Sequence, residues 1–106
     1  MNHILAICDA EEEYTLQLTN YINVKEGFPF QVRSFSTIGK LLHFTGQQVV
    51  EAVLISEEYL DEIRTKNTVN TVITLSKERM DCEKESEKIY KYQSAEMIMK
   101  AILQIL

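Results

Sequence analysis

Two spacing patterns take turns along this chain, and their alternation limits the folds open to it more than any other feature. Ile4-Leu5-Ala6-Ile7-Cys8, Val49 to Ile55 and Val69 to Leu75 are apolar runs of strand length, too short for buried helices. The latter two are nearly continuous, as in strands covered on both faces, which places them inside a parallel sheet. Phe28, Phe30 and Val32 alternate with Pro29, Gln31 and Arg33, giving a strand with one wet face, and Pro29 assigns it to a sheet edge. Ile89 and Tyr90 mark a last short strand.

Between the strands the period changes to that of a helix. Tyr14, Leu18, Tyr21 and Ile22 share one helical face. Glu11, Glu12 and Glu13 sit in its first turn, where they complement the helix dipole, and Gly27 breaks the chain after it. Ser36 or Thr37 caps a second helix carrying Ile38, Leu41, Leu42 and Phe44, which ends near Gly46. Tyr59, Leu60 and Ile63 mark a third, and Ser94 caps a final helix running to Leu106 with Glu96 in its first turn. From Ser76 to Lys88 charges alternate in sign and only Met80 and Cys82 could pack, which reads as a solvated loop or a degraded helix.

Strands alternating with helices require right-handed crossovers and a parallel sheet with helices on both faces. With central-type runs at strands one, three and four and edge-type patterns at two and five, the expected fold is α/β. It is a flavodoxin-like three-layer sandwich with a five-stranded parallel sheet in the order 2-1-3-4-5. The 106 residues suffice for one domain, 1–106, and not for two.

Composition removes several function classes. The net charge is −5, from 11 Lys+Arg against 16 Asp+Glu, so there is no cationic surplus to displace phosphate counterions and no nucleic-acid partner is expected. Cys8 and Cys82 form no framework of bridges, and with only His3 and His43 beside them they make no zinc site. The apolar run at the N-terminus lacks a basic flank and is too short to insert in a membrane. A cytoplasmic protein with reduced thiols is the expectation. No residue pattern calls for a cofactor or a metal.

In a sheet of this order, ligands bind beyond the carboxyl ends of the strands, at the switch point between strands one and three. Cys8 and Asp9, Ser56 and Glu57, Ser76, and Lys91 fall there. With the runs Ile4 to Asp9, Val53-Leu54-Ile55-Ser56, Val72 to Ser76 and Tyr90-Lys91-Tyr92-Gln93-Ser94, the whole chain resembles a response-regulator receiver domain of the CheY-like kind. The resemblance implies an acidic pair after strand one, a phospho-accepting aspartate after strand three, a Ser/Thr after strand four and a lysine after strand five. Ser76 and Lys91 match that pattern. Ser56 stands at the acceptor position, Cys8 replaces one carboxylate of the pair, Lys88 occupies the aromatic position and Tyr92 that of the proline. A thiol beside one carboxylate is a poor ligand set for Mg²⁺, a hard cation that takes oxygen ligands around an octahedron. Ile89 to Leu106 further resembles the end of the atypical receiver domain that precedes a P-loop ATPase in pilus-assembly proteins of the TadZ/CpaE kind, in the ParA/MinD group. That resemblance implies that the chain is the N-terminal part of a longer protein.

Each site residue also has a plainer reading. Asp9 can serve as a helix N-cap, and Ser56 as a small polar strand end without the base a nucleophile needs. Cys8 can be a buried hydrophobe, and Lys91 a solvated lysine or the partner of Asp9. The final helix is different. At about 100° per residue its apolar side chains spread over roughly 240°, while one sheet face accounts for little more than 100°. The excess, centred on Met99, Leu103 and Leu106, either meets a second surface or folds under the preceding loop.

The expected function is that of a non-enzymatic pseudo-receiver that regulates or localises by binding protein. It would dock through Tyr90, Tyr92, Met99, Leu103 and Leu106 to a following ATPase domain, a second copy or a polar localisation partner. The alternative is an unconventional phospho-switch or small enzyme using Asp9, Ser56 and Lys91.

Overall fold

The computed structural model describes residues 3–66, 69, 71–77 and 88–105. Five strands form one parallel sheet in the order β2-β1-β3-β4-β5: β1 Ile4–Cys8, β2 Gln31–Phe35, β3 Ala52–Ser56, β4 Thr71–Ser76 and β5 Lys88–Tyr90. Among the described residues four α-helices, α1 Glu12–Asn23, α2 Ile38–Thr45, α3 Leu60–Lys66 and α4 Ala95–Ile105, accompany them, and a 3₁₀ turn, Glu57–Tyr59, opens the β3–α3 link. The sequence expectation of an all-parallel doubly wound sheet with β2 and β5 at its edges is what the chain adopts. The expected degradation of a fourth helix, with Met80 and Cys82, concerns positions 78–87, outside the described residues.

β1, β3 and β4 read as continuous apolar runs because each feeds two cores. Leu5 and Ile7 of β1, Leu54 of β3 and Ile73 and Leu75 of β4 pack with Leu18 and Ile22 of α1 and Ile98 and Ile102 of α4. Ile4, Ala6 and Cys8 of β1, with Val53 and Ile55 of β3, face the other way, onto Leu41 of α2 and Ile63 of α3. Period-two alternation divides the side chains between the layers.

Three boundaries differ from expectation. β2 begins at Gln31 rather than Phe28, because its ladder starts opposite Ile4 and Pro29 has no N–H to contribute. Phe28 and Phe30 instead pair as rings 5.8 Å apart and pack at the margin of the α1–α4 core. Val49 is 78% exposed, and β3 starts three residues later. β4 starts at Thr71, although Val69 before it is buried.

Local signals explain the remaining ends. Thr37 caps α2, its hydroxyl accepting from Lys40 N–H at 3.3 Å, and Ser94 does the same for Met97 N–H at 3.2 Å at the start of α4. Gly27 takes a φ of 89°, a conformation open to glycine at little cost. At the last turn of α1, the Asn23 carboxamide accepts from Val32 N–H at 3.0 Å and donates to the Val32 carbonyl at 3.1 Å. Those are the outward-facing backbone groups of an edge strand.

Candidate functional site

The carboxyl ends of β1, β3, β4 and β5 carry the expected residues, and the fold brings two of them together. Lys91 follows β5 directly, its N–H donating to the Ser76 carbonyl at 2.8 Å and so extending the β4–β5 ladder by one step. The side chain turns inward and is 1% exposed. Its Nζ lies 2.9 Å from Asp9 Oδ2, and it donates a hydrogen bond to Glu11 Oε1. The ring of Tyr14 stands 4.7 Å from Nζ and that of Tyr92 5.6 Å away, which makes both cation–π neighbours. The Tyr14 hydroxyl donates to the Lys91 carbonyl at 3.2 Å, so backbone and side chain of this residue are both held.

Asp9 closes the arrangement from the other side. Its backbone N–H donates to the Phe35 carbonyl at 3.1 Å, continuing the β1–β2 ladder, and its Oδ1 accepts from Glu11 N–H at 2.8 Å. Asp9 thus braces the turn into α1, while the cap position belongs to Glu11. Its Oδ2 makes no aligned hydrogen bond among the described residues, so the Lys91 ammonium is the charge that compensates it.

An ammonium out of water loses several kcal/mol of hydration, and only close counter-charges offset that loss. Burial pulls the Lys91 value down, but the hydrogen bond to Glu11 and the close charge of Asp9 outweigh it and leave it above the ordinary lysine range. The hydrogen bond and charge of Lys91, with a smaller contribution from Lys77, hold Glu11 below the usual carboxylate range. Burial, then the charges of Asp9 and Glu11, push the Tyr14 phenol up. Lys91 is thus held as an ammonium by the two carboxylates beside it.

The other expected site residues do not join this cluster. Cys8 is fully buried in the α2–α3 core, and burial, then Asp9 and Glu58, push its thiol up to about 12. A thiol that stays protonated is a poor nucleophile and a poor metal ligand. The Ser56 hydroxyl ends β3, 3% exposed, and donates to Glu58 Oε1 at 3.2 Å. Ser76 is 4% exposed and contributes its carbonyl to Lys91. His3, beside Glu51, lies at the opposite end of the sheet, and His43 is exposed on α2. No group of three or more His, Cys, Asp or Glu is placed to hold a metal among the described residues.

Of the expected docking residues, Tyr92 and Leu103 are exposed, and Tyr90 is half-buried with its ring 6.0 Å from that of Tyr92. Met99 is half-buried and packs at the margin of the α1–α4 core. Leu106 lies outside the described residues. Met97, not among those expected, is also exposed.

The sequence signal for Glu11 was present: it stands two residues after Asp9 in the same β1–α1 turn. Its place among three consecutive glutamates makes it read as a helix-dipole residue. Tyr14 reads as core because its spacing fits the buried stripe, and nothing in one dimension reveals the ammonium beneath its ring.

No protein-family model matches the chain, and no curated protein matches it in sequence. Among solved structures it is similar to a response regulator from Thermotoga maritima, with a TM-score of 0.73 and 17% identity, over 99% of this chain and 98% of that one. At that identity the likeness establishes the fold alone, a CheY-like, flavodoxin-type sandwich with strand order 2-1-3-4-5. No described helix is long and apolar enough to cross a membrane.

Proposed function

We propose that this chain is a pseudo-receiver, a receiver-type domain that takes no phosphoryl group on aspartate and acts by binding protein. The observation that carries the reading is Ser56, a hydroxyl at the end of β3 where a receiver presents its acceptor carboxylate. A serine cannot form an acyl phosphate. The neighbouring chemistry supports the reading, since the Lys91 ammonium is already matched by Asp9 and Glu11 and the Cys8 thiol offers nothing to a hard cation. On this view the strand-end rim takes no phosphoryl group and the working surface is the β5–α4 side, where Tyr92, Leu103 and Met97 are exposed.

The partner is a protein. The order of residues from Ile89 to Leu106 favours a ParA/MinD-like ATPase of pilus assembly fused behind this domain, which the domain regulates or localises in the cytoplasm. The domain performs no catalysis of its own.

Amide NMR with Mg²⁺ and beryllofluoride tests the reading. The expected result is no saturable shift at Asp9, Ser56 or Lys91, and no covalent phosphate after incubation with acetyl phosphate. Shifts at those three residues, or phosphate on the protein, overturn it.

A further inference from the structure

Tyr14 belongs to two places at once. Its ring stands 4.7 Å from the Lys91 ammonium, and it lines a groove of about 340 Å³ between α1 and α4 with Leu18, Tyr21, Gln93 and Ile98. The ammonium's other ring neighbour, Tyr92, is 54% exposed beside the end of β5. One buried charge therefore touches, through two rings, both the groove and the exposed edge of the molecule. Its two counter-charges differ in access. The Asp9 side chain is buried and tied into the turn, whereas that of Glu11 is 54% exposed.

We propose that Lys91 is a clasp through which the charge on Glu11 sets the positions of Tyr14 and Tyr92, and with them the shape of the α1–α4 groove and the end of β5. The inference rests on the reading of this side of the molecule as a protein-docking surface. An ammonium between two carboxylates and two ring faces rests where their attractions balance. When the Glu11 charge is lost, Nζ is drawn toward Asp9 and its hold on the rings changes. Tyr14 cannot respond alone, because its hydroxyl is bonded to the Lys91 carbonyl, so ring and backbone move together. A lysine or arginine of a docking partner, paired with the exposed Glu11 carboxylate, acts in the same direction. The clasp thus favours a partner that brings a basic side chain to the β1–α1 turn.

Aromatic NMR of the full chain with Glu11→Gln tests this, because the substitution keeps shape, removes charge and falls on an exposed side chain. The ring signals of Tyr14 and Tyr92 are expected to shift. Those of Phe35 and Phe44, packed together against the opposite core, are expected to stay in place. Glu12→Gln, one residue along, is the control for bulk charge and should leave the tyrosines unmoved. Tyrosine signals that superimpose on wild type in Glu11→Gln, or that move equally in Glu12→Gln, overturn the clasp. Association measured by light scattering reports the docking surface separately. Unmoved rings with an association that Leu103→Glu abolishes would refute the clasp and keep the docking reading. Moved rings in a chain that stays monomeric would keep the clasp and refute docking between copies through α4.

Discussion

At the strand ends a lysine is 1% exposed, whereas on α4 Met97 and Leu103 are 52% and 43% exposed. Both regions invert the usual distribution of side chains, but only one resolves the inversion internally. Around Lys91 every cost of burial has a partner within the fold: two carboxylates, two ring faces and a ladder hydrogen bond. On α4, Ile98 and Ile102 satisfy the sheet, and Met97 and Leu103 flank that face without being covered. The difference separates a charged site that is complete from an apolar surface that is not.

Lys91→Met attacks the complete region and should have the largest effect. It leaves the Asp9 carboxylate buried without a cation, a loss of about 3–5 kcal/mol in urea unfolding. The double substitution Asp9→Asn with Lys91→Met removes both charges and should recover much of that loss; a double variant as unstable as the single one would show that pairing is not what holds the rim.

Acid should produce a smaller effect through Glu11. Its folded value lies below the ordinary one, so its contribution is present above the unfolded value and disappears as pH falls through the folded value. Melting temperature measured across the acid range should fall less steeply in Glu11→Gln than in wild type. The Lys91 contribution has the opposite sense, lost only as alkaline pH passes its raised folded value.

The smallest effect on stability belongs to the open region. Leu103→Glu should change unfolding free energy by no more than about 0.5 kcal/mol, because the side chain lies at the surface and outside both cores. Any change in molecular mass on the same substitution would locate a contact between copies there.

Much of the fold was legible because each strand and helix carries its own period. The five strands and their order followed from run length and from Pro29, whereas the start of β2 did not, since register depends on a neighbour that one segment cannot reveal. Val49 misled for a related reason: it continues an apolar run, yet the ladder with β1 fixes where β3 begins. In the site, Asp9 and Lys91 were readable as partners across the strand ends. Glu11, Tyr14 and the second function of Tyr92 were not, because their roles depend on a lysine eighty residues away from Glu11 folding back beneath them.

The Asn23 carboxamide also decides what the sheet cannot become. By meeting both polar groups of Val32, it stands in for the rung that an added strand would supply. A stray extended peptide therefore finds the middle of that border occupied and would have to displace a side chain to pair there. A single side chain on a helix thus does at Val32 what a neighbouring strand would otherwise do for the border of the sheet.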